Sequence, residues 1–368
     1  MTGFIKKAAA LFLTLSLIVT SFSGCGEKVS ARVTITDGKF TVNEKELWLS
    51  GCNTPWYNWN DFTGNMNEEV WEDTFALLAE DNINCTRIWV NCDGQSIVRL
   101  NSYGEVYNIV EEHWTDLDKL FALAEKYGVY VMATLLSFDH FKSQNWRAML
   151  ESKEACDIYA EQYVAEFCDR YGDNEYLFSV DIINEPDWVH ENEECGQYDW
   201  DSISYLIGRC AATIHEKCDT LVTAGIGIIK YNSDKYEGNK VSDEYLRELT
   251  GSDGAYLDFY STHYYDWMRG SFGTPFDKSP EDFGLDTDKP CVIGETSNDS
   301  ARGLTLPEKY RSLYDNGWNG ILVWMQSDTN NSDVEKVWYR YDLTEEATND
   351  MADYIYDKIY PIGKKEVK

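Results

Sequence analysis

The sequence predicts an α/β fold: a single closed (β/α)8 TIM barrel with an N-terminal β-hairpin capping the bottom. Eight short apolar runs alternate with amphipathic helical segments along nearly the whole chain. Each run is rich in β-branched and aromatic residues and is apolar on both sides, which is typical of parallel strands covered on both faces. The 368 residues exceed the roughly 250 that such a barrel needs. Pattern and length together favour the barrel.

The N-terminal residues have the pattern of an export signal. Lys6 and Lys7 precede an apolar run (8–19), and the stretch "FSGC" then ends at Cys25. A charged start, an apolar centre and small residues before a cleavage point are typical of a secretory signal peptide. "FSGC" resembles a bacterial lipobox, which implies cleavage before Cys25 and acylation of its thiol. An ordinary signal peptide with cleavage nearby is the alternative.

This signal divides the chain into three parts. We expect a lipoprotein signal peptide over 1–24, a tether over 25–32 and one barrel domain over 33–368. The mature protein is then expected at the cell surface, anchored at Cys25, or secreted if the signal is an ordinary one. No later stretch is apolar for long enough to span a bilayer, so we expect contact with a membrane only through the lipid anchor.

The hairpin is the first element of the predicted fold, and the barrel strands follow it. "VTITDGKFTV" (33–42) alternates apolar and polar residues around Asp37-Gly38, and an Asp-Gly pair in this setting favours a two-residue turn. The eight apolar runs predicted as strands are 47–53, 83–91, 129–136, 177–184, 221–227, 257–265, 290–296 and 320–326.

Helical segments lie between these runs. Segments 112–128 and 155–172 each place their apolar residues on one stripe and end at a glycine, as helices do. Further helices are predicted at 67–80, 202–218, 242–250, 305–316 and 346–358. An open doubly wound sheet is the competing fold. It favours a Gly-rich turn after the first strand, where "SGCNTPWYNW" has aromatic residues instead.

The composition narrows the possible partners. The formal charge is −32, from 64 acidic and 32 basic residues, so nucleic acid and anionic membrane surfaces would be repelled. The sequence has no C-x-x-C motif and no His-rich cluster with zinc spacing, and we expect neither a metal nor a cofactor.

Besides Cys25, the cysteines are expected to be small core residues. Cys156 and Cys168 share one predicted helix, and Cys210 and Cys218 share another, too far apart along each helix to bridge. Other pairings stay open.

Two glutamates end predicted strands. Glu185 follows the run 177–184, and Glu295 lies near the end of the run 290–296. A glutamate in an apolar setting is rare without a partner or a function, and the carboxyl ends of barrel strands form the active face. We therefore expect both carboxylates to face one pocket. The other candidates near this face are Trp56, Trp59, Arg87, His140, Asn184, Trp188, His263, Tyr265, Trp267 and Trp324.

Two carboxylates in one pocket are what glycoside hydrolysis requires. One protonates the leaving oxygen, and the other attacks the sugar or stabilises its cation. A separation of about 5–5.5 Å predicts retention of configuration, and a wider one predicts inversion. Arg87 is expected to keep one carboxylate ionised, with Tyr265 donating a hydrogen bond to it. His263 and Asn184 are expected to bind the other carboxyl or the sugar, and indole rings stack on sugar faces.

These residues resemble glycoside hydrolase family 5, the family of cellulases and β-mannanases, over about residues 33–360. The motifs that carry the resemblance are "TRIWV" with Arg87, "DIINEP" with Glu185, "THYY" with His263, "VIGET" with Glu295 and "GILVW" with Trp324. The resemblance implies a retaining enzyme in which Glu185 is the acid/base and Glu295 is the nucleophile.

The resemblance also implies roles for the other candidates. Asn184 would bind the 2-hydroxyl of the sugar in the −1 subsite, and Trp324 would form the floor under that sugar. Arg87 and Tyr265 would orient the nucleophile, and His263 would lie beside the acid/base and assist it. His140 is the histidine that follows the third strand.

The segments 77–96, 104–108, 116–136 and 314–328 are similar to the β-mannanase branches of the family. They imply an endo-β-1,4-mannanase that acts on a β-linked plant polysaccharide, and we expect the protein to be a monomer. Met325-Gln326 departs from the small polar residues that often follow the last-strand tryptophan in mannanases. An endo-β-1,4-glucanase on the same scaffold and a non-catalytic carbohydrate-binding lipoprotein are the alternatives. An esterase or peptidase is disfavoured because G-x-S-x-G and H-E-x-x-H motifs are missing from the sequence.

Overall fold

The computed structural model describes residues 30–94, 96–297, 303–324 and 341–355. The predicted signal peptide, Cys25 and Met325-Gln326 lie outside these ranges. Eight parallel strands form a closed barrel in which each strand pairs with the next in sequence and the eighth pairs with the first. The strands are β1 (Leu49–Asn53), β2 (Cys85–Trp89), β3 (Tyr130–Ser137), β4 (Leu177–Asn184), β5 (Leu221–Ile226), β6 (Tyr260–Tyr264), β7 (Cys291–Ser297) and β8 (Gly320–Trp324). The predicted (β/α)8 fold is confirmed.

The N-terminal hairpin closes the lower mouth of the barrel, as predicted. Strands Thr34–Thr36 and Lys39–Val42 pair antiparallel, and a short third strand, Lys45–Glu46, which was not predicted, joins them. Asp37 and Gly38 both have positive φ, 52° and 70°, as a two-residue turn of this kind requires. The ring of Phe40 is fully buried, with ring centroids 5.1 Å from both Phe178 and Phe259 at the bottom of the barrel.

Helices surround the barrel where the sequence predicts them. The long ones are Glu68–Glu80, Glu111–Tyr127, Trp200–Lys217, Asp243–Thr250, Leu306–Asp315 and Tyr341–Tyr354. The helix predicted at 155–172 begins as Lys153–Tyr159, continues through a π-helical turn (Ala160–Val164) and ends as Ala165–Tyr171. No helix in the described ranges combines the length and the apolar character needed to cross a membrane.

Shorter strands and helices lie in the connections between the barrel strands and the long helices. Strands Val98–Leu100 and Val106–Ile109 form a hairpin between β2 and the next helix. The remaining short α-helices are Gln144–Leu150, Pro186–Glu191, Arg269–Phe272 and Pro280–Phe283, and single 3-10 turns span Phe138–Lys142, Glu193–Cys195, Ile229–Tyr231 and Asp266–Met268.

Local signals explain where the helices begin and end. The Asn67 side chain accepts a hydrogen bond from the Val70 N–H and caps the helix that follows. Gly128 ends its helix in the left-handed conformation, with φ 70°, which glycine adopts at little cost. The buried stripe of that helix includes Leu117 and Phe121, and each such side chain contributes about 1.5–3 kcal/mol by leaving water.

Candidate active site

A buried arginine organises the polar layer at the upper end of the barrel. Arg87 in β2 is fully buried, and its Nη1 donates hydrogen bonds to Oε1 of Glu295 at 2.7 Å and to Oδ1 of Asn53 at 3.0 Å. Its Nη2 donates to Oδ1 of Asn184 at 2.8 Å, and its Nε donates to Oδ2 of Asp181 at 2.8 Å. A buried charge is tolerated only when it is paired and hydrogen-bonded. Arg87 therefore fixes the side chains at the ends of three strands.

Asp181 was not predicted as part of this layer. It is fully buried in β4 and also accepts hydrogen bonds from Oγ1 of Thr134 at 2.9 Å and from the N–H of Gly225 at 2.8 Å. A signal for it exists in the sequence, because Asp181 interrupts an apolar run and Arg87 is the one arginine or lysine within the predicted strands. A buried carboxylate of this kind needs such a counter-charge.

Glu295 is held from two sides. Its Oε2 accepts a hydrogen bond from the hydroxyl of Tyr265 at 2.9 Å, while Oε1 contacts Arg87. The pKa of Glu295 is raised overall: burial and the charge of Glu185 raise it, while the charge of Arg87 and the hydrogen bond from Tyr265 lower it. Burial also raises the pKa of the Tyr265 hydroxyl, so Tyr265 stays a donor. Both hydrogen bonds favour the ionised carboxylate.

Glu185 occupies a different environment. Burial raises its pKa to about 7; Arg87 lowers that pKa, Asp139 raises it, and a hydrogen bond from the Trp188 side chain lowers it. Oε1 of Glu185 is hydrogen-bonded to Nδ1 of His263 at 3.0 Å, and burial lowers the pKa of His263 to about 4. His263 is therefore neutral near pH 7, so it supplies no counter-charge that would hold Glu185 ionised.

The backbone of Glu185 is in the left-handed region, with φ 48° and ψ 56°. A residue other than glycine in this region costs about 1–3 kcal/mol. The conformation directs Glu185 back towards the barrel at the start of helix Pro186–Glu191, and its N–H donates a hydrogen bond to the carbonyl of Gly225 at 2.7 Å. Gly227 leaves the necessary room, because a Cβ at that position would lie 3.1 Å from Cγ of Glu185.

The two glutamates face each other. One carboxylate oxygen of Glu185, one of Glu295 and a ring nitrogen of His263 all lie within 4.8 Å of one another. Oxygen atoms this close favour the retaining geometry, in which the carboxyl groups are about 5–5.5 Å apart, over the wider inverting geometry. The same three atoms have metal-ligand character, but the guanidinium of Arg87 at 2.7 Å from Oε1 of Glu295 opposes a cation there by charge repulsion.

Asp187 is a second carboxyl group that was not predicted. It is buried behind Glu185, and its Oδ1 accepts a hydrogen bond from the N–H of Gly227 at 2.7 Å. Burial, reinforced by the charge of Glu185, raises the pKa of Asp187 well above its ordinary value. The two neighbouring carboxyl groups are thus both easier to protonate than an exposed one. Sequence offers little sign of this, because the acids after Pro186 look like a solvated run.

The carboxylate pair lines a cleft of about 320 Å³. Aromatic rings make up much of its wall, and ring centroids of Trp56 lie 4.8 Å from Trp89 and 6.0 Å from Trp324. Trp89 was not predicted, although it stands two residues after Arg87 on the same strand. The cleft is lined by Trp56, Trp89, Phe138, Asp139, Asn184, Glu185, Trp188, Gly227, Ile228, Tyr265, Trp267, Met268, Glu295 and Trp324.

Most of the predicted candidates converge on this cleft. Those in its wall or hydrogen-bonded to its carboxylates are Trp56, Arg87, Asn184, Trp188, His263, Tyr265, Trp267 and Trp324. Trp188 and Trp267 expose 37% and 62% of their surface, as rings at an open rim would. Trp59 lies further out, with its ring 4.7 Å from Trp56 and its Nε1 donating to Asp93 at 2.9 Å.

His140 is the exception, because it does not line the cleft. It is fully buried, and its Nδ1 accepts a hydrogen bond from the N–H of Ser137 at 3.1 Å as part of a capping box. Its ring packs edge-on against Trp146 at 4.6 Å, and burial lowers its pKa to about 3. The preceding residue, Asp139, lines the cleft instead, because the 3-10 turn directs His140 inward.

The fold and the site together define a (β/α)8 barrel with two facing glutamates at the carboxyl ends of β4 and β7, the arrangement of a retaining glycoside hydrolase. Mannan endo-1,4-β-mannosidase of Mytilus edulis is 24% identical over 348 residues, covering 86% of this chain and 93% of its own. The β-1,4-mannanase of the sea hare Aplysia kurodai superposes with a TM-score of 0.77 at 23% identity, covering 90% of this chain and 99% of its own.

A more distant structure carries the family name. The glycoside hydrolase family 5 mannosidase of Rhizomucor miehei, as its E301A mutant, has a TM-score of 0.57 at 14% identity, covering 90% of this chain and all of its own. A search against protein-family models gives no match. The structural likenesses at these identities establish the fold. The family named there is the one that the motif residues of this chain resemble.

Proposed function

We propose that this protein is a retaining endo-β-1,4-mannanase. The observation that carries the proposal is the pair of carboxylate oxygens of Glu185 and Glu295 within 4.8 Å of each other. Their surroundings differ in the way that the two roles demand. Arg87 and Tyr265 bind Glu295, while Glu185 has a neutral histidine partner and a pKa raised to about 7. Two carboxyl groups with such different hydrogen-bond partners are suited to different roles.

The first chemical step forms a glycosyl ester. A carboxylate oxygen of Glu295 attacks the anomeric carbon, and the glycosidic bond breaks as Glu185 gives its proton to the departing oxygen. In the second step Glu185, now ionised, takes a proton from water. The water oxygen attacks the anomeric carbon, and Glu295 leaves as a carboxylate. Two inversions give overall retention, and both carboxyl groups return to their starting states.

The charges of the buried layer favour a positively charged transition state. Arg87 contributes one positive charge and contacts two carboxylates, Asp181 and Glu295, at 2.7 Å each. When both carboxylates are ionised, Arg87, Asp181 and Glu295 together carry a net charge of −1. The sugar that Glu295 attacks develops positive charge in the transition state, and the ester that follows removes the charge of Glu295. Fixed charges in a buried site stabilise such a transition state more strongly than water does.

The cleft wall supports a polysaccharide substrate. Trp56, Trp89 and Trp324 form one aromatic surface, and Trp188 and Trp267 stand at the rim. The flat apolar faces of sugar rings stack on indoles, so consecutive subsites along the cleft would hold a chain of sugars. Mannan is proposed because two similar proteins, from a mussel and a sea hare, are named as mannanases. A panel of substrates would distinguish a mannanase from an endoglucanase on the same scaffold.

The location of the enzyme is proposed from the sequence alone. The lipobox-like "FSGC" and the apolar run before it support an exported lipoprotein anchored at Cys25, which would hold the barrel at the cell surface near polymeric substrate. Labelling with a radioactive fatty acid, compared between the wild type and Cys25→Ser, tests the anchor. Equal labelling of both proteins would contradict it.

The proposed activity is tested by measuring release of reducing sugar. The panel is mannan, glucomannan, carboxymethyl cellulose, mixed-linkage glucan and xyloglucan, and we expect the highest kcat/KM on mannan or glucomannan. Glu295→Gln should abolish hydrolysis, whereas Glu194→Gln, on an exposed residue of the same face, should retain it. Activity of Glu295→Gln within tenfold of the wild type would refute the assignment.

Azide rescue distinguishes the two glutamates. Glu185→Ala should still form the glycosyl ester from an aryl mannoside with an acidic phenol, because that leaving group needs no proton. Azide should then accelerate turnover and yield a glycosyl azide of retained configuration. Glu295→Ala should yield, if anything, an azide of inverted configuration. The opposite pattern would exchange the two roles.

A further inference from the structure

We propose that Asp187 is a positioning residue for the acid/base: it holds the strained backbone of Glu185 in place through a hydrogen bond to Gly227. This inference rests on the proposed function, in which Glu185 gives its proton to the departing oxygen. Asp187 is 1% exposed, and in the described part of the chain it is not among the residues that line the cleft. It therefore acts through its neighbours and does not touch substrate.

Two hydrogen bonds join the turn at Glu185 to the end of β5. The N–H of Glu185 donates to the carbonyl oxygen of Gly225 at 2.7 Å, and the N–H of Gly227 donates back to Oδ1 of Asp187 at 2.7 Å. The paired register of β4 and β5 ends at Asn184 and Gly225, so these bonds continue the connection past the end of the sheet. The first bond uses only backbone atoms, whereas the second depends on the side chain of Asp187.

The turn needs such support because its backbone is strained. Glu185 has φ 48° and ψ 56°, a conformation that costs about 1–3 kcal/mol and persists only where the surrounding structure holds it. The side chain of Glu185 accepts no capping hydrogen bond from helix Pro186–Glu191. The hydrogen bond between Gly227 and Asp187 supplies a fixed point two residues after the strained one.

The carboxyl group of Asp187 and the side chain of Glu185 pack against the same α-carbon. A Cβ at Gly227 would lie 2.8 Å from Oδ2 and 3.1 Å from Oδ1 of Asp187, and 3.1 Å from Cγ of Glu185. Gly227 has no positive φ, so this close packing, and not the backbone conformation, calls for glycine. A movement of Gly227 would displace the side chain that carries the acid. The contact thus links Asp187 to the position of the proton donor.

A stabilising interaction with the helix dipole is the competing explanation for Asp187. Acidic residues are favoured in the first turn of a helix, and Asp187 is the second residue of helix Pro186–Glu191. Aspartates are mostly exposed, whereas Asp187 is buried and no hydrogen bond reaches its Oδ2 from the described residues. A buried carboxylate oxygen without a donor is costly. An exposed aspartate would serve the dipole equally well, so the dipole gives no reason to place this carboxyl group against Gly227.

The surroundings of Asp187 favour a neutral carboxyl group. Burial and then the charge of Glu185 raise its pKa well above the ordinary value. The backbone N–H groups of Gly227 and of Asp187 itself lower that pKa, and the charge of Glu191, which is paired with Lys230 at 2.9 Å, raises it. A neutral carboxyl group still accepts the hydrogen bond from Gly227 through its carbonyl oxygen. Asparagine offers the same acceptor without a charge, so we expect it to replace Asp187 where alanine does not.

The test compares two aryl β-mannobiosides that differ in their need for an acid. A dinitrophenyl leaving group departs without a proton, whereas a phenyl leaving group needs one. For both, kcat/KM reports the steps up to the glycosyl ester. Asp187→Ala should lower kcat/KM on the phenyl substrate about 10- to 100-fold, since a catalytic group misplaced by about 1 Å loses up to about 100-fold in rate. On the dinitrophenyl substrate the value should stay within about threefold of the wild type, and the loss on the phenyl substrate should lie in kcat and not in KM.

Three variants accompany Asp187→Ala. Asp187→Asn is the matched rescue variant and should stay within about threefold of the wild type on both substrates. Glu185→Ala removes the acid itself and should show the same selective loss to a greater degree. If Asp187→Ala does not fold, Gly227→Ala tests the same contact, because its methyl group would press on Glu185 from the side of Asp187; the same selective loss is expected. Urea unfolding reports the stability of each variant.

Three results would overturn the proposal. An equal loss on both substrates would show that Asp187 supports the fold and not the acid. Wild-type rates for Asp187→Ala on the phenyl substrate would show that Glu185 does not depend on the hydrogen bond. A loss in Asp187→Asn as large as that in Asp187→Ala would show that the acceptor oxygen is not what matters. A wild type that hydrolyses neither substrate, or a Glu185→Ala variant without the selective loss, would instead refute the proposed function on which the inference rests.

Discussion

Tyr265→Phe removes one hydrogen bond from the proposed nucleophile and leaves the ring in place. The hydroxyl donates to Oε2 of Glu295 at 2.9 Å, and a hydrogen bond to a charged group contributes about 1.5–3 kcal/mol. If the whole contribution is lost from the transition state, kcat/KM falls roughly 10- to 150-fold. The fold should persist, because the ring is only partly buried against the core and the hydroxyl makes no other hydrogen bond to the residues that the structure describes.

The pH profile gives a second, independent readout. The hydrogen bond from Tyr265 lowers the pKa of Glu295, so its removal raises that pKa. Glu295 must be ionised to attack, and the acidic limb of kcat/KM follows its pKa in the free enzyme. The acidic limb should therefore move to higher pH in Tyr265→Phe. The basic limb, which we assign to Glu185, should move much less.

Tyr264→Phe is the matched control, since the neighbouring hydroxyl bonds to Asp266 at 3.4 Å and contacts neither carboxylate. It should leave both the rate and the acidic limb unchanged. The assay is initial-rate hydrolysis of soluble mannan from pH 4 to pH 9, with unfolding by urea measured in parallel. A rate for Tyr265→Phe within twofold of the wild type, with an unmoved acidic limb, would refute the role given to this hydrogen bond.

Three further changes test other parts of the molecule. Asp139→Asn should shift the basic limb of the kcat/KM profile to lower pH. The charge of Asp139 raises the pKa of Glu185, and Glu185 must be protonated to act as the acid. A basic limb at the wild-type pH would contradict this prediction. Arg87→Met should abolish activity and lower the free energy of unfolding by about 3–5 kcal/mol, since two buried carboxylates lose their counter-charge. Urea unfolding measures this loss of stability. Phe40→Ala should lower the free energy of unfolding by about 3–5 kcal/mol, because it opens a cavity under the barrel. Its kcat should stay within twofold of the wild type, and a large fall in kcat would show that the hairpin affects the cleft.

The barrel was predictable because its strands are buried on both faces. A run such as 129–136 has no charged residue on either side, so its apolar pattern indicates a parallel strand directly. The π-helical turn at Ala160–Val164 and the strand pair Val98–Leu100 and Val106–Ile109 were not predicted. Both depend on how an element packs against its neighbours, and the local pattern does not contain that information.

The site was predictable to the extent that strand ends determine position. Glu185 and Glu295 were placed correctly on one face, because both follow apolar strands whose direction the barrel fixes. His140 was misplaced because both it and Asp139 belong to one 3-10 turn, and the turn's rotation decides which side chain faces the cleft. Asp187 was missed because burial, not residue type, raises its pKa.

The left-handed backbone of Glu185 connects these features. The strained φ of 48° turns the side chain across the barrel, and Gly227 supplies the space that it enters. In this position Glu185 is largely withdrawn from water, which raises its pKa to about 7, and the charge of Arg87 offsets only part of that rise. An extended conformation would relieve the strain, but it would direct the carboxyl group away from Glu295. The strain of about 1–3 kcal/mol is thus the cost of keeping a protonated acid within 4.8 Å of an ionised carboxylate, and the buried contacts of β4 and β5 offset it.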